Sequence, residues 1–294
     1  MSKTFMRGLA LLELIDVHGP VTVTELARLS GLDKSVVSRM ITGCEPDGWV
    51  VRSDGKLGLG PRAALLGHSS PAGTAIRQAE PLVHAVAGVT GMLTQVYALV
   101  GSRAVIIASA SGRGPSVPTG LGIGVPLFAT AAGMTVAAQL DPAELERLLP
   151  PEPFPDATQD LVGLAGYAPA SAAMFANHNE PLRSSPSIAR NRSQLAAQME
   201  IIRRDGVAID DGDLHPEMGC TAIPWARPGL PAALACMGSP ADLAGSSELV
   251  RSALDAAAAP GARPDDVVAA AARAIHARPS QVMRMITGDP PPDA

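Results

Sequence analysis

Hydrophobic and polar positions change period twice within the first seventy residues. Over 4–17, Phe5, Leu9, Leu12 and Val17 recur at helical spacing and predict an amphipathic helix that Gly19-Pro20 ends. A short second helix follows, with Thr24 as its N-cap and Leu26 and Ala27 inward, stopping at the tight turn Ser30-Gly31. Leu32 then points inward and Asp33 caps a third helix running from Lys34 towards Cys44. That helix is apolar at Val36, Val37, Met40, Ile41 and Cys44 and polar at Lys34, Ser35, Ser38 and Arg39. After Asp47-Gly48 the period shortens, and WVVRSDGKLGLG predicts two strands around a Ser-Asp-Gly-Lys turn.

Residues 61–69, PRAALLGHS, predict a short helix, and Ser69-Ser70-Pro71 a hinge. Over 72–90 a helix turns Ile76, Leu82, Val83 and Val86 inward, with a break or kink expected at Pro81. MLTQVYALV and AVIIASAS form a hairpin around Gly101-Ser102-Arg103, and SGRGPSVPTGLGIG is a loop. A helix begins near Thr130 in PLFATAAGMTVAAQL, and Asp141 caps another in DPAELERLLP. Residues 150–187, rich in Pro, Ala and Ser, carry no readable period. A helix over 188–204 faces inward with Leu195, Met199 and Ile202. GVAIDDGDLHPEMGCTAIPWA and LPAALACMGSP then predict one strand each around Arg227-Pro228-Gly229, and helices broken at Pro260-Gly261 close the chain. Strands mixed with helices in this order imply an α+β fold with an antiparallel sheet.

Composition alters this picture in three respects. Aromatic residues are only 3% of 294 against 47% hydrophobic, so the core is built from Ala, Val, Leu, Ile and Met. The net charge of −5 argues against a protein that coats nucleic acid indiscriminately, yet residues 1–70 hold eight Lys/Arg against seven acids while the remainder is clearly acidic. Cys44, Cys220 and Cys236 lack metal-ligand spacing and fit a reducing compartment. With no signal-peptide pattern and no uncharged span of membrane length, a cytoplasmic protein is expected.

Two short helices joined by a glycine turn, followed by a hairpin, make a winged helix-turn-helix. Small hydroxyls and one Arg on the helix that starts at Lys34 suit insertion into a major groove, where bulky side chains would hold the helix away from the bases. Arg52 and Lys56 on the hairpin suit phosphate contacts. RGLALLELI, TVTELARLSGLDKSVVSRM and DGWVVRSDGKLGLGPR together resemble the N-terminal domain of the IclR (isocitrate lyase regulator) family. That resemblance implies Ser35, Ser38 and Arg39 on a recognition helix and Thr24 and Lys34 near phosphates. Gly43 and Pro46 depart from the family pattern and imply a helix that ends early or bends.

PLFATAAGMTVAA, DGVAIDDGDLHPEMGCTAIPW and AALACMGSP resemble the effector domain of the same family, so the likeness spans nearly the whole chain. It implies a winged helix-turn-helix over 1–60, a linker helix over 61–71 and a GAF/PAS-like α/β effector-binding and oligomerisation domain over 72–294. By position, the effector pocket would involve Ala131, Ala132, Asp210, Cys220 and Cys236, with apolar walls from Leu121, Ile123, Met134 and Met218. Phe128 and Met134 stand where the family has His and Lys, which implies a more apolar pocket. For each cysteine alone, simple core packing remains the commoner role, and Asp211 and Asp213 read as a solvated acidic turn.

Catalysis is not expected. His215 near Cys220 lacks an orienting partner, the Gly/Pro loop lacks the Lys-Ser/Thr of a phosphate loop, and Asp213, His215 and Glu217 alternate in a turn without metal-ligand logic. The resemblance implies a homodimeric or tetrameric regulator, a repressor more readily than an activator. Its partners would be double-stranded operator DNA and a small-molecule effector such as an aromatic acid, with no cofactor, metal or membrane. The alternative is a protein-docking module carrying a ligand-binding or degenerate enzymatic C-terminal domain.

Overall fold

The computed structural model describes residues 2–112, 120–155, 162–163, 189–225, 227–276, 282–283 and 286. The chain divides into two compact units, Met1–Gly73 and Thr74–Ala294.

In the smaller unit, α1 (Lys3–His18) buries Leu11, Leu14 and Ile15. The expected stripe is displaced, because Phe5 is 62% and Val17 56% exposed. Several apolar stripes fit the Leu-rich segment equally well, and packing against α2 and β2 selects this one. The N-cap of α2 (Val23–Ser30) is Thr22, not Thr24. The Thr22 hydroxyl accepts from the Glu25 N–H at 3.2 Å, and the Glu25 carboxylate accepts from the Thr22 N–H at 2.8 Å. This reciprocal box satisfies two amides, whereas Thr24 is already the second residue inside the helix. Asp33 caps α3 (Lys34–Cys44), accepting from the Ser35 N–H at 2.8 Å. Val37 and Ile41 are the buried side of α3, and the helix stops two residues before Pro46.

Strands β1 (Val50–Ser53) and β2 (Lys56–Leu59) pair antiparallel, with Ser53 opposite Lys56. Asp54 and Gly55 both have positive φ, as a two-residue type I′ hairpin turn requires. Val21 adds an unexpected third rung, exchanging backbone bonds of 3.0 and 2.7 Å with Leu57. The short helix α4 (Pro61–Leu65) follows directly.

The larger unit holds a seven-stranded antiparallel sheet in the order β6-β5-β4-β3-β9-β8-β7. Its strands are β3 (Leu93–Val100), β4 (Arg103–Ala110), β5 (Ile123–Pro126), β6 (Val162–Gly163), β7 (Ala208–His215), β8 (Met218–Pro224) and β9 (Ala232–Gly238). The segment expected to be one strand, 206–226, is therefore a hairpin of two. Asp213 and Glu217 fall on either side of its reversal, where polar residues break the apolar run.

Helices cover both faces of the sheet. On one lie α6 (Ala131–Ala137), α7 (Pro142–Leu148) and α8 (Arg192–Asp205), with Leu127, Met134, Leu145, Leu195, Met199 and Ile202 in a common core. On the other lie α5 (Pro71–Thr90), α10 (Ser247–Ala258) and α11 (Pro264–Ala274), centred on Leu82, Val86, Leu254 and Val267; α9 (Pro240–Gly245) adds Leu243. Helix α5 runs on through Pro81, and its inward residues include Ala75 and Ala79, leaving Ile76 exposed. Helix α8 begins at Arg192, four residues later than its apolar spacing implies, where Asn191 accepts from the Gln194 N–H. Every residue of α6 is buried, because Ala and Gly let that helix lie close on the sheet.

Candidate nucleic-acid interface and buried polar cluster

The polar side of α3 presents Lys34, Ser35, Arg39 and Thr42 to solvent, with Ser38 half-buried between them. The Arg39 Nε donates to the Ser35 carbonyl at 3.3 Å, which lays the guanidinium along the helix. The Ser35 hydroxyl and N–H hold the Asp33 carboxyl below the usual carboxylate range, so the cap stays charged. Thr24 is exposed in the first turn of α2, and Lys56 is exposed at the hairpin tip. The Glu25 carboxyl is also held low, chiefly by its bonds to Thr22, with Lys56 and Arg28 adding favourable charge. Arg52 has a different environment from the one its position suggested: its Nε reaches the Glu45 carboxylate at 2.9 Å. Arg62, which periodicity did not single out, lies 3.8 Å from Asp47 and 5.0 Å from the centre of the Trp49 ring.

In the larger unit the five residues proposed for a pocket do not form one group. Ala131, Ala132 and Cys220 share the core on the α6 face of the sheet. Cys236 belongs to the core on the opposite face, 3.5 Å from the Thr94 hydroxyl. Successive residues of a strand alternate faces, and Cys220 pairs with Met237, so its neighbour Cys236 must point away. Burial pushes the Cys236 thiol up to about 11 and the Cys220 thiol higher still, with the charge of Asp210 adding to the latter.

Asp210 is 6% exposed, sits opposite Cys220 in the β7–β8 ladder, and accepts from the Asp213 N–H at 2.7 Å. That bond supports an irregularity in β7; Asp211 and Asp213, expected in a solvated turn, lie in the strand itself, Asp211 exposed and Asp213 half-buried. The start of α6 is already partly capped. Thr130 accepts from the Gly133 N–H at 2.9 Å, and the Ala132 N–H is directed at the Cys220 sulfur. Of the expected apolar walls, Ile123, Met134 and Met218 are buried and Leu121 is exposed.

Sequence reasoning missed a second buried polar group on this face. The Tyr97 hydroxyl donates to Gln95 Oε1 at 2.6 Å, and the Gln95 amide nitrogen donates to the Ser109 hydroxyl at 3.2 Å. A glutamine alternating with tyrosine inside MLTQVYALV was the available signal, since an unpaired buried amide is costly. Phe128 stacks against Phe154 with ring centres 4.7 Å apart, and Arg192 anchors that corner through Glu146 at 2.8 Å and Glu152 at 3.7 Å. Among the described residues no cluster of three or more His, Cys, Asp or Glu could hold a metal, and the His215 side chain lies outside them. No described helix is long and apolar enough to cross a membrane.

The architecture is thus a winged-helix domain followed by an α+β domain with an antiparallel sheet. Residues 6–56 match the model of the MarR family, itself restricted here to the winged helix. No curated protein matches the chain. Among solved structures, the Thermotoga maritima IclR is 20% identical with a TM-score of 0.55, over 87% of this chain and 97% of that one. An IclR transcriptional regulator from Alicyclobacillus acidocaldarius is 20% identical with a TM-score of 0.57, over 92% and 99%. An IclR homolog from Microbacterium hydrocarbonoxydans, complexed with 4-hydroxybenzoate, is 17% identical with a TM-score of 0.61, over 92% and 100%. The fold is that of the IclR transcriptional regulators, as the sequence motifs implied.

Proposed function

We propose that the chain is a member of the IclR family: a sequence-specific DNA-binding transcription regulator, acting as a repressor, whose operator binding responds to a small-molecule effector. In this reading residues 1–60 bind DNA, 61–71 link, and 72–294 bind effector and assemble homo-oligomers. The observation that carries it is the exposed Lys34, Ser35, Arg39 face of α3, capped and held by a winged helix in a chain with the regulator fold throughout. Thr24, Lys34 and Lys56 would meet phosphates, while Ser35, Ser38 and Arg39 would meet base edges. A gel-shift assay with the DNA upstream of its own gene tests it. Specific, salt-sensitive binding is expected, weakened roughly tenfold or more by Arg39→Ala. Binding unchanged by that substitution would remove α3 as the recognition helix.

The effector reading places an aromatic acid or related catabolite on the α6 face of the sheet, near Ala131, Ala132, Asp210 and Cys220, in a cytoplasmic protein. Cys236 is left out, being on the other face. Support comes from the apolar and aromatic surroundings, Phe128 and Phe154 included, and from the 4-hydroxybenzoate complex of the structural neighbour. Thermal unfolding of the full chain with 4-hydroxybenzoate and other aromatic acids is the test. A ligand-induced rise is expected in the wild type and not in Asp210→Asn, which keeps an acceptor for the Asp213 N–H. An identical rise in both would take Asp210 out of the site.

A further inference from the structure

Glu45 stands immediately after α3, and Arg52 is an exposed residue of β1 on the face that also holds Val50, opposite Leu57 on β2. The guanidinium meets the carboxylate fork-on, Nε to Oε1 at 2.9 Å and a terminal nitrogen to Oε2 at 3.5 Å. The pair draws Arg52 back towards the end of the helix. Among the described residues Lys34, Arg39 and Lys56 form no salt bridge, so Arg52 differs from the other cations on these elements in being held by direct contact with a carboxylate. Both partners keep solvent contact, with side chains 39% and 27% exposed, so the pair is weak enough for another anion to displace. A backbone phosphate offers the same planar fork the same kind of oxygens.

We propose that Glu45 competes with DNA phosphate for Arg52, so that this pair limits the sequence-independent part of the affinity. The inference rests on the DNA-binding reading above and adds a residue that opposes binding. Each phosphate contact made by Arg52 must first release Glu45, which would then sit close to the duplex as an uncompensated charge. The consequence is a wing that grips only where the recognition helix has already paired with its bases. A regulator that must leave non-specific DNA benefits from such a restraint.

The test is a double-mutant cycle on a short mixed-sequence duplex, where phosphate contacts alone count, repeated over a salt series. Glu45→Gln keeps the shape and removes the charge. It is expected to bind roughly two- to fivefold more tightly than wild type, with the salt dependence steeper by about 0.9 in the log–log slope. The gain should vanish when Arg52 is also changed to Gln. No gain, a loss, or an equal gain without Arg52 would overturn the proposal, the last because it would mean simple removal of an acid near DNA. A wild type that binds neither this duplex nor the upstream fragment ends the regulator reading too; a binding wild type with a flat cycle ends this inference alone.

Discussion

Replacing Trp225 with alanine is expected to destabilise the larger unit by about 3–5 kcal/mol, the cost of truncating a large buried aromatic. Trp225 is fully buried at the end of β8, within the core formed by α5, α10 and α11. Its indole N–H donates to the Ala257 carbonyl at 3.3 Å, and Arg227 stacks over the ring at 3.8 Å. Truncation therefore opens a cavity, leaves a buried carbonyl without its donor, and removes the surface on which Arg227 lies. Ala257, which accepts the indole hydrogen bond, and Ala253, one turn before it, offer only methyl groups with which to fill the space. Trp225→Phe separates the contributions, retaining most of the volume and losing the hydrogen bond. Urea unfolding of the full chain followed by circular dichroism measures both. A loss below about 1 kcal/mol for the alanine variant would mean the site repacks, contrary to this account.

Gly133→Ala should cost about 3 kcal/mol, although alanine is the better helix former by about 1 kcal/mol. A Cβ at 133 would overlap the Pro126 carbonyl oxygen and lie 2.8 Å from the Thr130 hydroxyl that caps α6. Both are fixed, one in β5 and one as the N-cap, so α6 must lift from the sheet to admit the methyl group. Gly43→Ala is the matched control. Gly43 lies in the last turn of α3 with nothing within 4 Å of the added atom, and there alanine should stabilise by up to about 1 kcal/mol. Opposite signs for the same substitution in two helices, read by thermal unfolding, are the expected result. A neutral Gly133→Ala would show that α6 is not held against β5 as described.

Much of the smaller unit was legible in advance because its signals are short-range. The Asp33 cap, the glycine turn at Gly31 and the Asp54-Gly55 hairpin depend on backbone geometry within four residues, and each lies where its chemistry placed it. The errors there were of choice between adjacent candidates. Thr22 and Thr24 are both good caps, and only the reach of Glu25 to residue 22 separates them. In the Leu-rich α1, packing decided which stripe faces inward.

The larger unit was less legible for a different reason. Its candidate site depends on strand parity and on pairs far apart in the chain. Cys220 and Cys236 look equivalent in isolation, yet one packs under α6 and the other faces α5. Gln95, Tyr97 and Ser109 become a unit only through the β3–β4 register.

From its residues alone the chain dictates a polar, cationic face on α3, a wing behind it and an Ala-rich α+β body, because periodicity, capping and turn chemistry act locally. Which cations are matched by a carboxylate, which thiol lies under α6 and where Asp210 is buried were settled only when strands paired and helices packed. A strand shifted by one residue exchanges its two faces, and a carboxylate seven positions away can neutralise an arginine without leaving any trace in the pattern.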